Sequence, residues 1–430
     1  MSSAKRSDVE GREDGPSTVD NREQACQASL PPVRVLYVID TLEVGGAERS
    51  LLQLCEHVDR ARVEIIVCSI YPGDALRDDF ERLGIRVIQL NLPGKYRFLR
   101  AIGRLRHVIR RVRPDLVHTT LFRADQIGRI AARLVGVPVM SSFVNIPYDR
   151  ARTECNPHVK LWKLRALQIC DRLTARLATS FHAVSATVRK INCRDLHIPL
   201  ESVAVVHRGR DTEKKIVGDP NALRQELGVA RDAPLILNVG RLVDQKGQRY
   251  LIEAMPRVLQ HYPDAVLLIA GDGVLRDELV SLANSQHVAE QVRFLGHRHD
   301  TDVLLKSANC FAFPSLYEGM PGSVVEAMVA ECPIVATDIA VVRELITDRE
   351  TGLLAGVKES LPLAEGIIRM LSDRELSASV ARQARDRVCR EFDIRRIALQ
   401  MEELYWQQGA QTRNGGAVNK AVNHLAIQEK

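Results

Sequence analysis

Short runs of β-branched and other apolar residues alternate with amphipathic stretches from Val33 onward. VRVLYVID (33–40), VEIIVCSI (63–70), IRVIQL (85–90), DLVH (115–118), VPVMSSF (137–143) and SFHAVS (180–185) predict a first set of strands. The intervening stretches predict helices over 47–58, 75–83, 96–112, 123–135 and 158–178. The polar segment HRGRDTEKKIVGDPN (207–221), with its Gly and Pro, interrupts this alternation and predicts a linker over 207–232. The pattern restarts with APLILNVG (233–240), AVLLIAG (265–271), VRFLG (292–296), CFAFP (310–314), CPIVATD (332–338) and GLLAG (352–356), followed by helices to about residue 407. Strands this apolar, each followed by a helix, belong to parallel sheets covered on both faces. Two such sets predict an α/β chain of two Rossmann-like, doubly wound domains, 33–206 and 233–391. Ligands of such sheets bind at the carboxyl ends of the strands, so two of them face a shared cleft.

Composition narrows the picture. Hydrophobic residues are 45% and charged residues 27% of 430, which suits a soluble globular chain of two domains. Lys plus Arg is 60 and Asp plus Glu 54, a formal charge of +6, too weak for the chain to be read as a nucleic-acid binder. No apolar run reaches the roughly 18–20 residues of a spanning helix. Residues 1–32 lack the apolar stretch of a secretory signal and are expected to form a disordered leader; 408–430 are expected to form a polar, disordered tail. The nine cysteines are irregularly spaced without a C-x-x-C pair, which argues for buried thiols in a reducing cytoplasm rather than a disulfide framework or zinc site.

The chemistry-bearing residues fall just after strands. Gly45-Gly46-Ala47-Glu48-Arg49 follows the first, where two glycines allow close approach to a ligand and the next helix offers free N–H groups. In Gly240-Arg241-Leu242-Val243-Asp244-Gln245-Lys246-Gly247, a planar guanidinium and a point-charge ammonium suit a diphosphate. In PSLYEGMPGSVVEAM, Pro321 suits a helix start, Glu318 lies in the loop and Glu326 on the helix, and the N–H groups of Gly322, Ser323 and Val324 are aimed where a phosphate would sit. His118 ends a strand in PDLVHTT, a position that suits either a framework or a cleft role. Asp300-Thr301-Asp302 is read as helix capping rather than as a metal site, so no metal ligand is assigned.

GGAER, GRLVDQKG, IAGDG, FLGH and PSLYEGMPGSVVEAM, in this order and spacing, resemble glycosyltransferase family 4 over residues 33–407. The resemblance implies the GT-B fold and retaining, metal-independent transfer from a nucleoside-diphosphate sugar of UDP or GDP type, with no cofactor. It implies that Arg241 and Lys246 hold the donor diphosphate, Glu326 the ribose hydroxyls, and that Glu318 faces the donor sugar, with Gly46 beneath. It also implies a cleft role for His118, although Thr120 replaces the second histidine of the family's His-x-His. The first domain would take the acceptor, a glycan or lipid-linked glycan of cell-envelope or exopolysaccharide synthesis, and helix 392–407 would cross back to it. An epimerase or phosphorylase on the same fold, or a silent scaffold, are the alternatives. Eight Lys or Arg without an acid in 95–113, and seven in 150–176, predict peripheral docking on an anionic cytoplasmic membrane through charge rather than insertion.

Overall fold

The computed structural model describes residues 31–94, 97–149 and 160–413. The expected leader up to residue 30, the tail beyond 413, Cys26 and Cys155 lie outside the described residues. In the first half the chain runs β1 (Val33–Ile39), α1 (Gly46–His57), β2 (Val63–Ser69), α2 (Arg77–Arg82), β3 (Arg86–Gln89), α3 (Phe98–Val112), β4 (Leu116–Thr120), α4 (Phe122–Arg133), β5 (Val139–Phe143), α5 (Leu161–Ala175), β6 (Ser180–Ala183), α6 (Ala186–Leu196) and β7 (Val203–Val205). The second half runs α7 (Pro220–Glu226), β8 (Leu235–Val239), α8 (Gln248–His261), β9 (Val266–Ala270), α9 (Arg276–Ser285), β10 (Val292–Gly296), α10 (Thr301–Ser307), β11 (Cys310–Phe313), α11 (Gly322–Val329), β12 (Ile334–Thr337), α12 (Ala340–Arg343), β13 (Leu353–Ala355), α13 (Ser360–Ser372), α14 (Arg374–Glu391) and α15 (Ile394–Arg413).

The strands form two parallel sheets, ordered β3-β2-β1-β4-β5-β6-β7 and β10-β9-β8-β11-β12-β13. Strand order reverses between β1 and β4 in one and between β8 and β11 in the other, and each reversal opens a crevice at the strand ends. Their central strands are buried along nearly their whole length, which is why they read as unbroken apolar runs. α1, α2 and α15 cover one face of the first sheet, α3 and α4 the other. α3 buries Ala101, Ile102, Leu105, Ile109 and Val112, so the apolar stripe of the cationic 95–113 segment is spent on the core, while Arg97, Arg100, Arg104, Arg110, Arg111 and Arg113 remain outside.

Three expectations need correction. β7 and α6 were not anticipated, because VAV is a three-residue strand and α6 is only weakly amphipathic. The linker is shorter than 207–232: Asp219 caps α7 by accepting from Asn221 N–H at 2.9 Å, and Leu223 and Val229 enter the second domain's core. The crossing helix runs to Arg413 instead of stopping at 407. It lays Ile394, Ile397, Ala398, Met401, Leu404 and Tyr405 on the first sheet.

Two histidines tie these parts together. His118 Nδ1 lies 2.7 Å from Tyr405 Oη and its Nε2 2.6 Å from Ser142 Oγ; Ser142 Oγ lies 2.7 Å from His182 Nδ1, and His182 Nε2 2.9 Å from Val206 O. Val206 can only accept, so the donors run one way, Tyr405 to His118 to Ser142 to His182 to Val206, with both rings neutral. Burial holds His118 well below the ordinary imidazole range and His182 at about 4. A second buried link fixes α5: Arg129 donates to Asp171 at 2.6 Å and to Ser141 at 2.8 Å, and Tyr148 donates to Asp171 at 2.8 Å.

Because the histidine pKa values are depressed on folding, the stability they hold is complete above about pH 6.5 and is lost as pH falls toward 4, with His182 alone accounting for about 3 kcal/mol. The raised carboxyls of buried Asp40 and Asp125 gain stability over the same window and work against this fall, so the measure is a difference: in urea unfolding at pH 7.5 and 4.5, the parent should lose more stability on acidification than His182→Gln. An unchanged pH slope in that variant would contradict the neutral chain.

Candidate functional site

One wall of the cleft is built by the loops after β8 and β11. Gly247 has φ +62°, and a Cβ there would collide with the Pro314 carbonyl, so only glycine lets the two loops close together. Gln245 then donates to Tyr317 O at 2.9 Å and Leu316 N–H to Gln245 O at 2.8 Å. This places Lys246 Nζ 2.5 Å from Glu318 Oε1 and 5.5 Å above the Phe313 ring. Arg241 stands exposed at the lip of the same loop. Pro321 occupies the cap position of α11. Val324 N–H bonds the Pro321 carbonyl at 3.2 Å, so of the three N–H groups expected for an anion, those of Gly322 and Ser323 are without an acceptor among the described residues.

The opposite wall begins with Asp40, whose Oδ1 accepts from Ala124 N–H at 2.7 Å and pins the start of α4; burial raises its carboxyl to about 6. Gly46 is the exposed first residue of α1. Glu48 is buried beside it, within electrostatic reach of Arg208 and Arg241, with its carboxyl pushed up by burial.

Between the walls runs a segment read from sequence only as linker, and it carries two residues that reading missed. Arg208 Nη1 lies 3.4 Å from both the Met320 carbonyl and the point where a Cβ on Gly46 would stand. No carboxylate comes within ion-pair distance of it among the described residues, and burial together with neighbouring Arg210 lowers it to about 10. Arg210 donates from Nε to Glu326 Oε1 at 2.9 Å and from Nη1 to Gln53 Oε1 at 3.1 Å, while Nη2 presses against Gly322. One arginine thus faces the N-terminus of α1 and the other that of α11. Both helix ends carry positive dipole charge, so this pocket gathers cations faster than counter-ions and is set for an anion. The signal was Arg-Gly-Arg shortly after a strand; with β7 unrecognised, the strand-end rule could not be applied to it.

Arg241, Lys246, Glu318, Gly322, Ser323, Val324 and Glu326 therefore share one wall, with Gly46 across from them. His118 does not join the Lys246–Glu318 cluster. It is 1% exposed, both its ring nitrogens are bonded, and it lines a small cavity with Tyr37, His182, Arg208, Ile394 and Met401. Its ring is fixed by Tyr405 and Ser142, and the cavity it lines reaches Ala47 and Arg208 beside Gly46. Asp300 does not cap α10 through its side chain either. Its carboxylate is gripped by Arg298 at 2.8 and 2.6 Å, and Asp302 accepts from Val303 N–H and Lys214. No group of three or more His, Cys, Asp or Glu side chains arranged for a metal occurs among the described residues.

Residues 45–209 match the model of the glycosyl transferase 4-like domain, and residues 219–387 that of glycosyl transferases group 1. The chain is 25% identical over 375 residues, 84% of its length and 94% of the relative's, to the UDP-Gal:alpha-D-GlcNAc-diphosphoundecaprenol alpha-1,3-galactosyltransferase of Escherichia coli. It is 34% identical over 171 residues, 40% of its length and 46% of the relative's, to the N-acetylgalactosamine-N,N'-diacetylbacillosaminyl-diphospho-undecaprenol 4-alpha-N-acetylgalactosaminyltransferase of Campylobacter jejuni. Among solved structures, Anabaena Alr3699/HepE in complex with UDP and glucose superposes with a TM-score of 0.75 at 24% identity, covering 86% of this chain and 99% of that one.

An anion entering this pocket should stabilise the fold. Pyrophosphate at ten times its Kd would add about 1.4 kcal/mol and raise the unfolding temperature accordingly. Arg208→Gln should lose most of that rise while unfolding near the parental temperature in buffer alone. Differential scanning fluorimetry reads both, and an equal rise in parent and variant would remove Arg208 from the anion site.

Proposed function

The chain belongs to glycosyltransferase family 4, with the GT-B architecture, and from that premise we propose a retaining, metal-independent enzyme. It moves a sugar from a UDP-sugar to a diphospho-lipid-linked glycan in cell-envelope or exopolysaccharide synthesis, and needs no cofactor. The observation that carries this reading is the convergence of Arg208, Arg210, Arg241, Lys246 and the α11 N-terminus on one pocket. A leaving diphosphate is the ligand such a pocket suits, because it gains charge as the glycosidic bond breaks. The uridine nucleotide and the lipid carrier are supported by what the names of the Escherichia coli and Campylobacter jejuni relatives state and by the UDP in the Anabaena structure. Both relatives form an α linkage, which is what retention yields from an α-linked nucleotide sugar. They are transferases, and neither points to an epimerase, a phosphorylase or a silent scaffold.

Lys246 is paired with Glu318 and Arg210 with Glu326. A diphosphate competes with both carboxylates for these cations. Arg241, Lys246 and the N–H groups of Gly322 and Ser323 then hold the diphosphate, Glu326 accepts from the ribose hydroxyls, and Glu318 turns to the hydroxyls of the donor sugar. The bare backbone at Gly46 leaves room for that sugar beneath the opposite wall. As the bond from the sugar's anomeric carbon to the diphosphate breaks, the sugar becomes oxocarbenium-like and the acceptor hydroxyl attacks from the same face, giving its proton to the departing phosphate oxygen; no enzyme nucleophile is assigned. No described helix is long and apolar enough to cross a membrane. The acceptor is instead met by peripheral docking of the first domain on the anionic cytoplasmic face, with the outward arginines of α3 supplying charge.

Arg241→Ala and Lys246→Ala should each weaken UDP binding about 10- to 100-fold, the loss of a charge-assisted bond of roughly 1.5–3 kcal/mol. Glu318→Gln should retain UDP affinity within a few-fold and lose turnover. Calorimetric titration with UDP and a transfer assay across UDP-sugars test this, and unchanged affinity in both cation variants would remove the diphosphate assignment. Treatment with EDTA should leave the transfer rate unaltered; activity lost and then restored by Mn2+ or Mg2+ would overturn metal independence.

A further inference from the structure

α5 is tightly held on its inner side and bare on its outer side. The inner side carries Asp171, bonded to Arg129 and Tyr148, and the buried Ala175. On the opposite side Trp162, Ala166, Ile169 and Leu173 recur at steps of four, three and four residues and form one stripe. Trp162 is 65% exposed, Ile169 58% and Leu173 56%, and Leu161 adds a further apolar side chain at the helix start at 61%. No other described element carries so many exposed large apolar residues. Among the described residues this apolar helix face has no packing partner, whereas the other helices bury theirs.

Its border identifies the partner. Lys160, Lys163, Arg165, Arg172 and Arg176 flank the stripe, and the one acid of α5, Asp171, is internal and already paired. α4 packs between α5 and α3, so the same helical layer also presents Arg97, Arg100, Arg110, Arg111 and Arg113 to solvent. A second copy of this face would set lysine and arginine against their own kind. An anionic lipid surface satisfies both features, taking the apolar stripe below the headgroups and the cations at the phosphates, with Trp162 at the boundary.

We propose that α5 is an interfacial membrane anchor, inserting Trp162, Ala166, Ile169 and Leu173 into the outer hydrocarbon of an anionic leaflet while its flanking cations hold the lipid phosphates. This replaces docking by charge alone with docking by charge and shallow insertion. It deepens the lipid-linked acceptor reading and rests on it for the choice of a membrane, yet it is testable without donor or acceptor.

The test uses the full chain with vesicles of equal parts phosphatidylglycerol and phosphatidylcholine, in a Trp406→Phe background so that Trp162 is the only indole. Binding should shift Trp162 emission to the blue and expose it to lipid-borne quenchers. Sedimentation should show affinity that falls with salt but is not abolished by it. Trp162→Gln, Ile169→Gln and Leu173→Gln combined should cut vesicle affinity at least tenfold while the unfolding temperature and UDP affinity stay at the parental values. Unmoved Trp162 emission, or parental vesicle binding by the triple variant, would overturn the anchor. So would a parent that dimerises without lipid through a contact the triple variant abolishes, since a second copy would then cover the stripe. Failure to transfer sugar to a water-soluble acceptor analogue would count against the transferase reading and leave the anchor standing.

Discussion

A guanidinium drawn away from bulk water needs an anion, and among the described residues the guanidinium of Arg208 reaches only the Met320 carbonyl. Arg210 beside it and the dipoles of α1 and α11 raise the local potential further. The surrounding architecture is arranged to tolerate this. Glu326 and Glu318 each hold one cation of the pocket, Arg210 and Lys246, in an ion pair. The interlocked loops behind them, joined through Gln245 and Tyr317, keep the cations from relaxing away into solvent. Pre-positioned charge of this kind costs folding stability and is returned only when ligand binds or a bond breaks to create negative charge.

The same arginines sit where the chain passes between domains. Arg210 N–H bonds Phe392 O and Ile394 N–H bonds Arg210 O, each at 2.9 Å, so the outgoing and returning crossings are zipped to each other. Arg395 adds contacts to Asp211, Glu213 and Asp393. Farther along the interface, Glu344 of the second domain accepts from Ala186 and Thr187 N–H and so caps α6 of the first. Any relative movement of the domains has to be taken up at the crossing, and Arg210, held by Gln53 on one side and Glu326 on the other, feels it directly. The Glu326 carboxylate and the posture of the domains are therefore linked through one side chain.

The fold was legible because buried parallel strands must be runs of Val, Ile and Leu, and both sheets consist of such runs. The Arg241–Lys246 loop and the two glutamates were legible for a related reason: each follows a strand long enough to be seen. Arg208 and Arg210 follow β7, three residues long, and were lost with it. His118 reads from sequence as a strand-end residue, but β4 runs on to Thr120, and its place was decided by Tyr405, 287 positions away, a proximity no local pattern carries. α5 shows the same limit from another side. Its apolar residues were visible as helical, but which of them stay bare depends on Arg129 reaching Asp171 from α4, a buried charge pair that periodicity does not encode.

The return of α15 onto the first sheet also sets an order of events during synthesis. One face of that sheet is completed by Ile397, Met401, Leu404 and Tyr405, residues made after both sheets have been translated. The second domain, whose core needs nothing beyond Phe392, can close while the first still lacks part of its cover. His118 is likewise left without its Tyr405 partner until α15 has been made. The domain translated first is thus completed after the second, and the nascent chain carries a half-covered sheet until α15 seals it.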